Sequence, residues 1–248
     1  MSGLKLPVRK ATKEEAEKPF WISFSDLMTA LMVLFLVAMA AALMDARKKI
    51  DGVTAPKTIR DADIFILHNN ISVSIRDIAG VSLRGSTIDF GDRARFASEE
   101  HKLTVEQARI LRAVVRKILA AGRDPLGAKW FKRVLVEGFA DQRGTYIYNL
   151  NLSLQRSERV LCVLLASFES ASDALSEQDR RDARELFLVG GSSFNSLQKD
   201  FEASRRIELK LEFLDEPRSP GESWSSSRDV PLDNDPRCPL DRRIPDRP

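Results

Sequence analysis

Residues 21–44 read WISFSDLMTALMVLFLVAMAAALM, a 24-residue apolar run whose only charge is Asp26. At 1.5 Å per residue a helix of this length exceeds the ~30 Å hydrocarbon core of a bilayer. Two soluble readings compete. Ala38-Met39-Ala40 imitates a signal-peptide cleavage site, but signal cores run to about 7–15 apolar residues and lack acids. A core helix with Asp26 as its cap would be apolar on every face for six turns, which a domain of this size does not hide. The sequence therefore predicts one membrane span. A carboxylate costs roughly 2.5–3.5 kcal/mol at the centre of a span and less near its end, so Asp26 is expected to handle a proton or ion or to meet a partner.

Basic residues lie on both sides of the run: Lys5, Arg9, Lys10, Lys13 and Lys18 before it, and Arg47, Lys48 and Lys49 after it. The excess on the amino-terminal side predicts an N-in, C-out orientation. The chain has 248 residues, 30% of them charged and 43% hydrophobic, which leaves room for the span and one further domain. A net charge of +3 with no basic stripe argues against nucleic acid. Cys162 sits among Val160, Leu161, Val163 and Leu164 and reads as a small core residue. Cys238, in a Pro-rich tail, reads as an exposed thiol. A disulfide between them is the less favoured alternative. His68 and His101 stand alone, and neither a metal-ligand spacing nor a cofactor motif is present.

Boundaries follow from composition: a cytoplasmic segment over 1–19, the span over 20–44, a short polar linker over 45–64 broken by Gly52 and Pro56, a folded domain over 65–214, and a Pro/Ser-rich tail over 215–248. Within the domain, Ile71, Val73 and Ile75 alternate with polar residues as in a strand, as do residues 86–90. Thr104 and Gln107 form a capping box before an apolar helix that runs to Gly122. Residues 134–136 predict a buried strand, 147–168 and 177–187 helices, and 206–213 a last, alternating strand. The expected fold class is an α/β sandwich, a mixed sheet with helices on one face.

Chemistry concentrates in VEGFADQRGTYIYNLNLSLQR, residues 136–156. Asp141 ends a strand and Arg156 lies two turns or so into the next helix, with Asn149 between. A carboxylate and a guanidinium so placed suit the ammonium and carboxylate of an amino-acid-like ligand, although spacing alone fits a structural salt bridge better. Gly138, Asp141, Gly144, Tyr148, Asn149, Leu152, Ser153 and Arg156, with Phe90 and the later Ser204-Arg205-Arg206-Ile207-Glu208, resemble the OmpA-like peptidoglycan-binding domain. The resemblance implies that Asp141 and Arg156 hold the diaminopimelate of a stem peptide, assisted by Asn149 and by one of Arg205 and Arg206. Phe139, Ala140 and Ser204 replace the usual His, Thr and Asn.

A wall-binding domain belongs in the periplasm, which agrees with the charge bias. The span itself resembles that of MotB-like stator subunits, in which an aspartate early in a single helix is followed by Met-Thr-Ala; here that is Asp26, with Met28, Thr29 and Ala30 after it. Residues 19–29 are most similar to the MotB-like subunits of Zorya phage-defence systems. The resemblance implies an inner-membrane, non-enzymatic protein that carries protons on Asp26, with Ser25 and Thr29 on the channel face, works without a cofactor, and pairs with itself inside a ring of five MotA-like subunits. A flagellar stator subunit and a passive envelope tether are the alternatives. A wall hydrolase is disfavoured by the lack of a nucleophile and base.

Overall fold

The computed structural model describes residues 13–166, 173–219, 222 and 238–241, with side chains left out at 13–20, 22 and 49–56. Expectations for residues 1–12 and for most of the tail lie outside the described residues. The chain divides into two units, Met1–Thr58 and Ile59–Pro248.

The first unit is helical throughout its described part. Helix α1, Lys13–Ile75, begins before the expected start of the span and continues through Pro19, Gly52 and Pro56. The linker predicted over 45–64 is therefore helix. One proline removes a single intrahelical hydrogen bond, and long flanking segments retain the remainder. The apolar stretch Ser23–Lys48 has a mean hydropathy of 2.6, and none of its most apolar window is buried. Trp21, Leu27, Leu31, Leu34 and Phe35 are all exposed. An unburied apolar surface on this scale needs a non-aqueous neighbour.

In the second unit the end of α1 supplies one wall of the core. Leu67, Ile71 and Ile75, four residues apart, are each at most 1% exposed, whereas Val73 is 53% exposed. The strand predicted over 71–75 is thus the last helical turns. Ile71 and Ile75 satisfy both a period of two and a spacing of four, and the fourfold partner Leu67 decides between them. The Ser74 hydroxyl donates to Ile71 O at 2.8 Å, inside the helix.

The sheet contains β1 (Ser82–Arg84), β2 (Thr87–Asp89), β3 (Phe131–Gly138), β4 (Phe187–Gly191) and β5 (Ile207–Phe213), in the order β1-β2-β5-β3-β4. All neighbours are antiparallel except β3 and β4. Between the strands run α2 (Val105–Arg123), α3 (Pro125–Trp130), α4 (Tyr146–Leu165), α5 (Glu177–Leu186) and α6 (Phe201–Ser204). The Thr104–Gln107 capping box is formed in both directions. Val134 and Val136 on β3 and Ile207, Leu209 and Leu211 on β5 face the helices, together with Val114, Val115, Ile118 and Leu119 of α2. Glu208, Lys210 and Glu212 alternate to the other side. The fold is a mixed α/β sheet with helices on one face.

The tail contributes a contact that composition did not reveal. Cys162 of α4 and Cys238 form a disulfide with their Cα atoms 5.3 Å apart, so the expected exposed thiol is only 8% exposed. The next turn, Pro239–Asp241, brings Asp241 to Arg159, whose Nη1 and Nη2 donate to it at 3.0 and 2.7 Å. The residues around each cysteine reveal its local environment but not its partner, which lies 76 positions away.

Candidate binding site

The site begins where β3 meets α4. Gly138 ends the strand so close to α4 that a Cβ there would lie 2.0 Å from Ser153 O. This approach brings the following residues over the helix. The chain then turns through Gly144, at φ +93°, and Thr145 caps α4 by accepting from Tyr148 N. Asn149, 2% exposed, donates from Nδ2 to Arg143 O at 2.7 Å and so closes the turn. Its role is to hold the loop that carries Asp141.

Asp141, Arg143, Asn149, Arg156 and Arg205 surround a recess of about 60 Å³, completed by Ser98, Glu99, Tyr148 and Leu152. Arg156 is wholly buried and donates to three backbone carbonyls: Nε to Glu100 O at 2.9 Å, Nη1 to Phe139 O at 2.7 Å and Nη2 to Ala97 O at 3.2 Å. The Phe96 ring lies 5.0 Å from its Cζ. Glu99 takes a left-handed φ of 61° between the two loop carbonyls that receive Arg156, a conformation uncommon outside glycine. Burial, aided by the nearby charge of Arg205, lowers the Arg156 pKa to about 10. That value still leaves the guanidinium charged at neutral pH. A guanidinium has five N–H donors, so three carbonyls leave one N–H on each Nη of this recess-lining side chain.

Asp141 and Arg156 share the recess, but the protein itself pairs Asp141 with other cations. Its Oδ1 accepts from Arg143 N at 3.0 Å. Its Oδ2 accepts from Arg143 Nη2 and Nε at 2.6 and 3.2 Å and from Arg205 Nη1 at 3.1 Å. Burial works to raise the Asp141 pKa, but hydrogen bonds from Arg143 and Arg205 outweigh it and hold the carboxyl below its usual value. Arg205 is fixed in turn by Nε donation to Phe96 O at 2.9 Å.

Arg206 does not line this recess, and the choice between the two arginines falls on Arg205. Adjacent residues entering a strand point to opposite sides. Arg206 donates to Glu208 at 2.6 Å and to Ser196 O at 3.1 Å, and packs 4.1 Å over the Phe139 ring. Phe139, at the position where His was expected, serves there as a platform for Arg206. The sequence reading missed Arg143, Ser98 and Glu99. Arg143 was open to view as the second residue after Asp141 in a tight turn, whereas Ser98 and Glu99 lie in a loop with no local signature.

The recess combines three guanidinium groups with the buried carboxylate of Asp141 and the exposed one of Glu99, which suits a small zwitterion. Among the described residues no group of three or more His, Cys, Asp or Glu side chains could hold a metal. In the span, Asp26 is exposed with Ser25 and Thr29 near it on the helix, and the Thr29 hydroxyl donates to Ser25 O at 2.8 Å. That bond satisfies the hydroxyl proton within an apolar segment.

Acid sensitivity follows from the ion pairs. Besides Asp141, the pKa of Asp63 is lowered by hydrogen bonds from Lys129 and Trp130, that of Asp173 by Arg112 and that of Asp241 by Arg159. Carboxyls with depressed folded pKa values contribute stability above the usual 3.8, and it is lost as pH falls through the folded values. Burial also lowers the pKa of His68 and His101, whose protonation below about 6.5 favours the unfolded chain. Urea midpoints should therefore decline slightly from pH 7 to 5 and steeply below 3.8. A midpoint unchanged at pH 3 would mean that these pairs contribute nothing to stability.

One apolar helix bearing an acid, followed in the chain by a mixed α/β domain with a guanidinium-lined recess, is the plan of a MotB-like membrane protein. Residues 8–53 match the family described as membrane MotB of the proton-channel complex MotA/MotB. The chain belongs to the ZorB family, being 42% identical over 217 residues to the Zorya protein ZorB of Escherichia coli, across 86% of this chain and 88% of that protein. Solved structures similar to it include the OmpA-like domain of FopA1 from Francisella tularensis, at 17% identity over 54% of this chain and 82% of that one, with a TM-score of 0.34. Another is the periplasmic domain of Helicobacter pylori MotB, at 11% identity over 56% and 83% of the two chains, with a TM-score of 0.38.

Proposed function

We propose that this chain is the membrane-anchored, wall-binding subunit of a proton-driven motor that serves Zorya anti-phage defence. The observation that carries this reading is the presence in one chain of an acid within an apolar span and a recess that groups Asp141 with Arg156 and Arg205. Asp26 takes up and releases a proton at the interface with a MotA-like multi-span subunit, each crossing being worth ~2.3 kcal/mol per 100 mV. A proton suits a lone carboxylate better than a metal ion, which calls for several oxygen ligands. Two copies of the chain stand within a ring of five partner subunits.

In this reading the recess takes the diaminopimelate of a stem peptide and fixes the motor to the wall. The ligand's carboxylate is received by the remaining Arg156 N–H groups and its ammonium by Asp141. The Cys162–Cys238 disulfide favours the periplasmic orientation, because such bonds persist in oxidising compartments. A periplasm-permeant amine cross-linker applied to intact cells, followed by isolation of boiled sacculi, tests recess and orientation together. Sacculi should retain the wild-type chain and lose most of the Asp141→Asn chain at equal membrane abundance. Equal recovery of both chains would refute the proposed site, and no recovery of either would refute wall attachment.

A further inference from the structure

Three guanidinium groups border the recess, and they are not held alike. Arg156 is tied to three backbone carbonyls and wholly buried, and Arg205 is tied to Phe96 O with a side chain 14% exposed. The Arg143 side chain is 52% exposed, and besides Asp141 its guanidinium meets the Ser98 hydroxyl at 3.0 Å, the Phe201 ring at 5.1 Å and the charge of Glu99. Its fork nevertheless takes Asp141 Oδ2 through both Nε and Nη2.

We propose that Arg143 is a displaceable internal ligand, a latch on Asp141 Oδ2 that the ammonium of an incoming stem peptide replaces. The inference rests on the reading of this recess as a peptide site. A carboxylate oxygen offers few acceptor directions, and Arg143 and Arg205 already occupy those of Oδ2. Oδ1 accepts only from Arg143 N and keeps one direction open, whereas an ammonium of the ligand donates to Oδ2 only when one of the two guanidinium groups leaves. Arg205 would have to break a backbone anchor, whereas Arg143 exchanges half-exposed contacts for water. Phe201 and Ser98 mark where the latch rests when closed. The main-chain N–H of Arg143, which donates to Oδ1, remains in place when the side chain swings out, so the carboxylate stays oriented for the ligand.

The test measures binding of the tripeptide L-alanyl-γ-D-glutamyl-meso-diaminopimelate to the full chain in detergent, by calorimetry. An ion pair this exposed contributes modestly, so Arg143→Ala should bind roughly two- to fivefold more tightly than wild type. Asp141→Asn should lose binding. Weaker or unchanged binding by Arg143→Ala, with Asp141→Asn still defective, overturns the latch and leaves the peptide site standing. Equal binding by wild type and Asp141→Asn, or no binding by any of the three, overturns both. In the wild-type chain, peptide should shift the Arg143 Nε–H resonance toward that of a solvent-exposed arginine and leave the protection of Arg156 intact. An Arg143 signal unmoved at saturation also overturns the latch.

Discussion

Replacing Asp26 with Asn is expected to abolish motor output while leaving membrane insertion and assembly unchanged. Asn keeps the shape and much of the hydrogen-bonding capacity of Asp but cannot take up and release a proton. Insertion should be slightly easier, since a charge costs more than an amide in an apolar segment. The expected phenotype is complete loss of phage protection, with no proton flux in vesicles that also contain the channel partner. Asp26→Glu moves the carboxyl by one methylene and should retain a fraction of the flux. The contrast with a passive tether is sharp, because a tether has no use for a titrating group in its anchor. Full protection by Asp26→Asn would end the motor reading. It would leave the wall site untouched, because the recess is built only from residues of the second unit.

Replacing Arg156 should have the largest effect on the folded domain. Arg156→Ala removes the donor from the carbonyls of Glu100 and Phe139, leaves Ala97 O with its bond from Glu100 N alone, and opens a cavity under the Phe96 ring. The buried Phe139 acceptor left unsatisfied costs about 1–3 kcal/mol, and the lost packing of the guanidinium with its part-buried loop bonds brings the expected loss to about 3–5 kcal/mol. For a domain of this size that corresponds to a fall in Tm on the order of 10 °C. Arg156→Lys keeps the charge, but one ammonium cannot reach three divergent carbonyls, so about half the loss should remain. Thermal unfolding followed by near-ultraviolet circular dichroism measures both. A Tm for Arg156→Ala within 2 °C or so of wild type would show that the loop holds itself together without the guanidinium its carbonyls receive. Arg156 thus closes the 96–100 loop onto α4 and lines the recess.

Some elements were legible because their determinants are local. Thr104 and Gln107 are three residues apart, and the capping box they predict is formed. The alternation in 206–213 gave the last strand, with Leu209 and Leu211 facing the core as its period requires. The Ile71-Val73-Ile75 alternation misled, because period two and spacing four agree at Ile71 and Ile75 and only burial of Leu67 separates them. Strand β4 was hidden for a related reason. Its Phe187–Gly191 run is short and ends in two glycines, and its pairing with β3 is a long-range fact. In the site, the turn motif announced Asp141, Asn149 and Arg156, but the motif does not say which cation holds the carboxylate.

The sequence alone determined the span and its acid, the amphipathic helices and alternating strand, and the short-range motif that ends at Arg156. Each depends on spacing within a few turns or on length against the thickness of a bilayer. Only the tertiary structure decided that Arg205 rather than Arg206 faces the recess, that Asp141 is paired with Arg143, that Arg156 is anchored on loop carbonyls, and that Cys238 joins Cys162. The physical reason is common to several of these. A side chain's direction at a strand entrance and the partner of a distant group are set by how separate elements pack, and no periodicity along the chain encodes that packing.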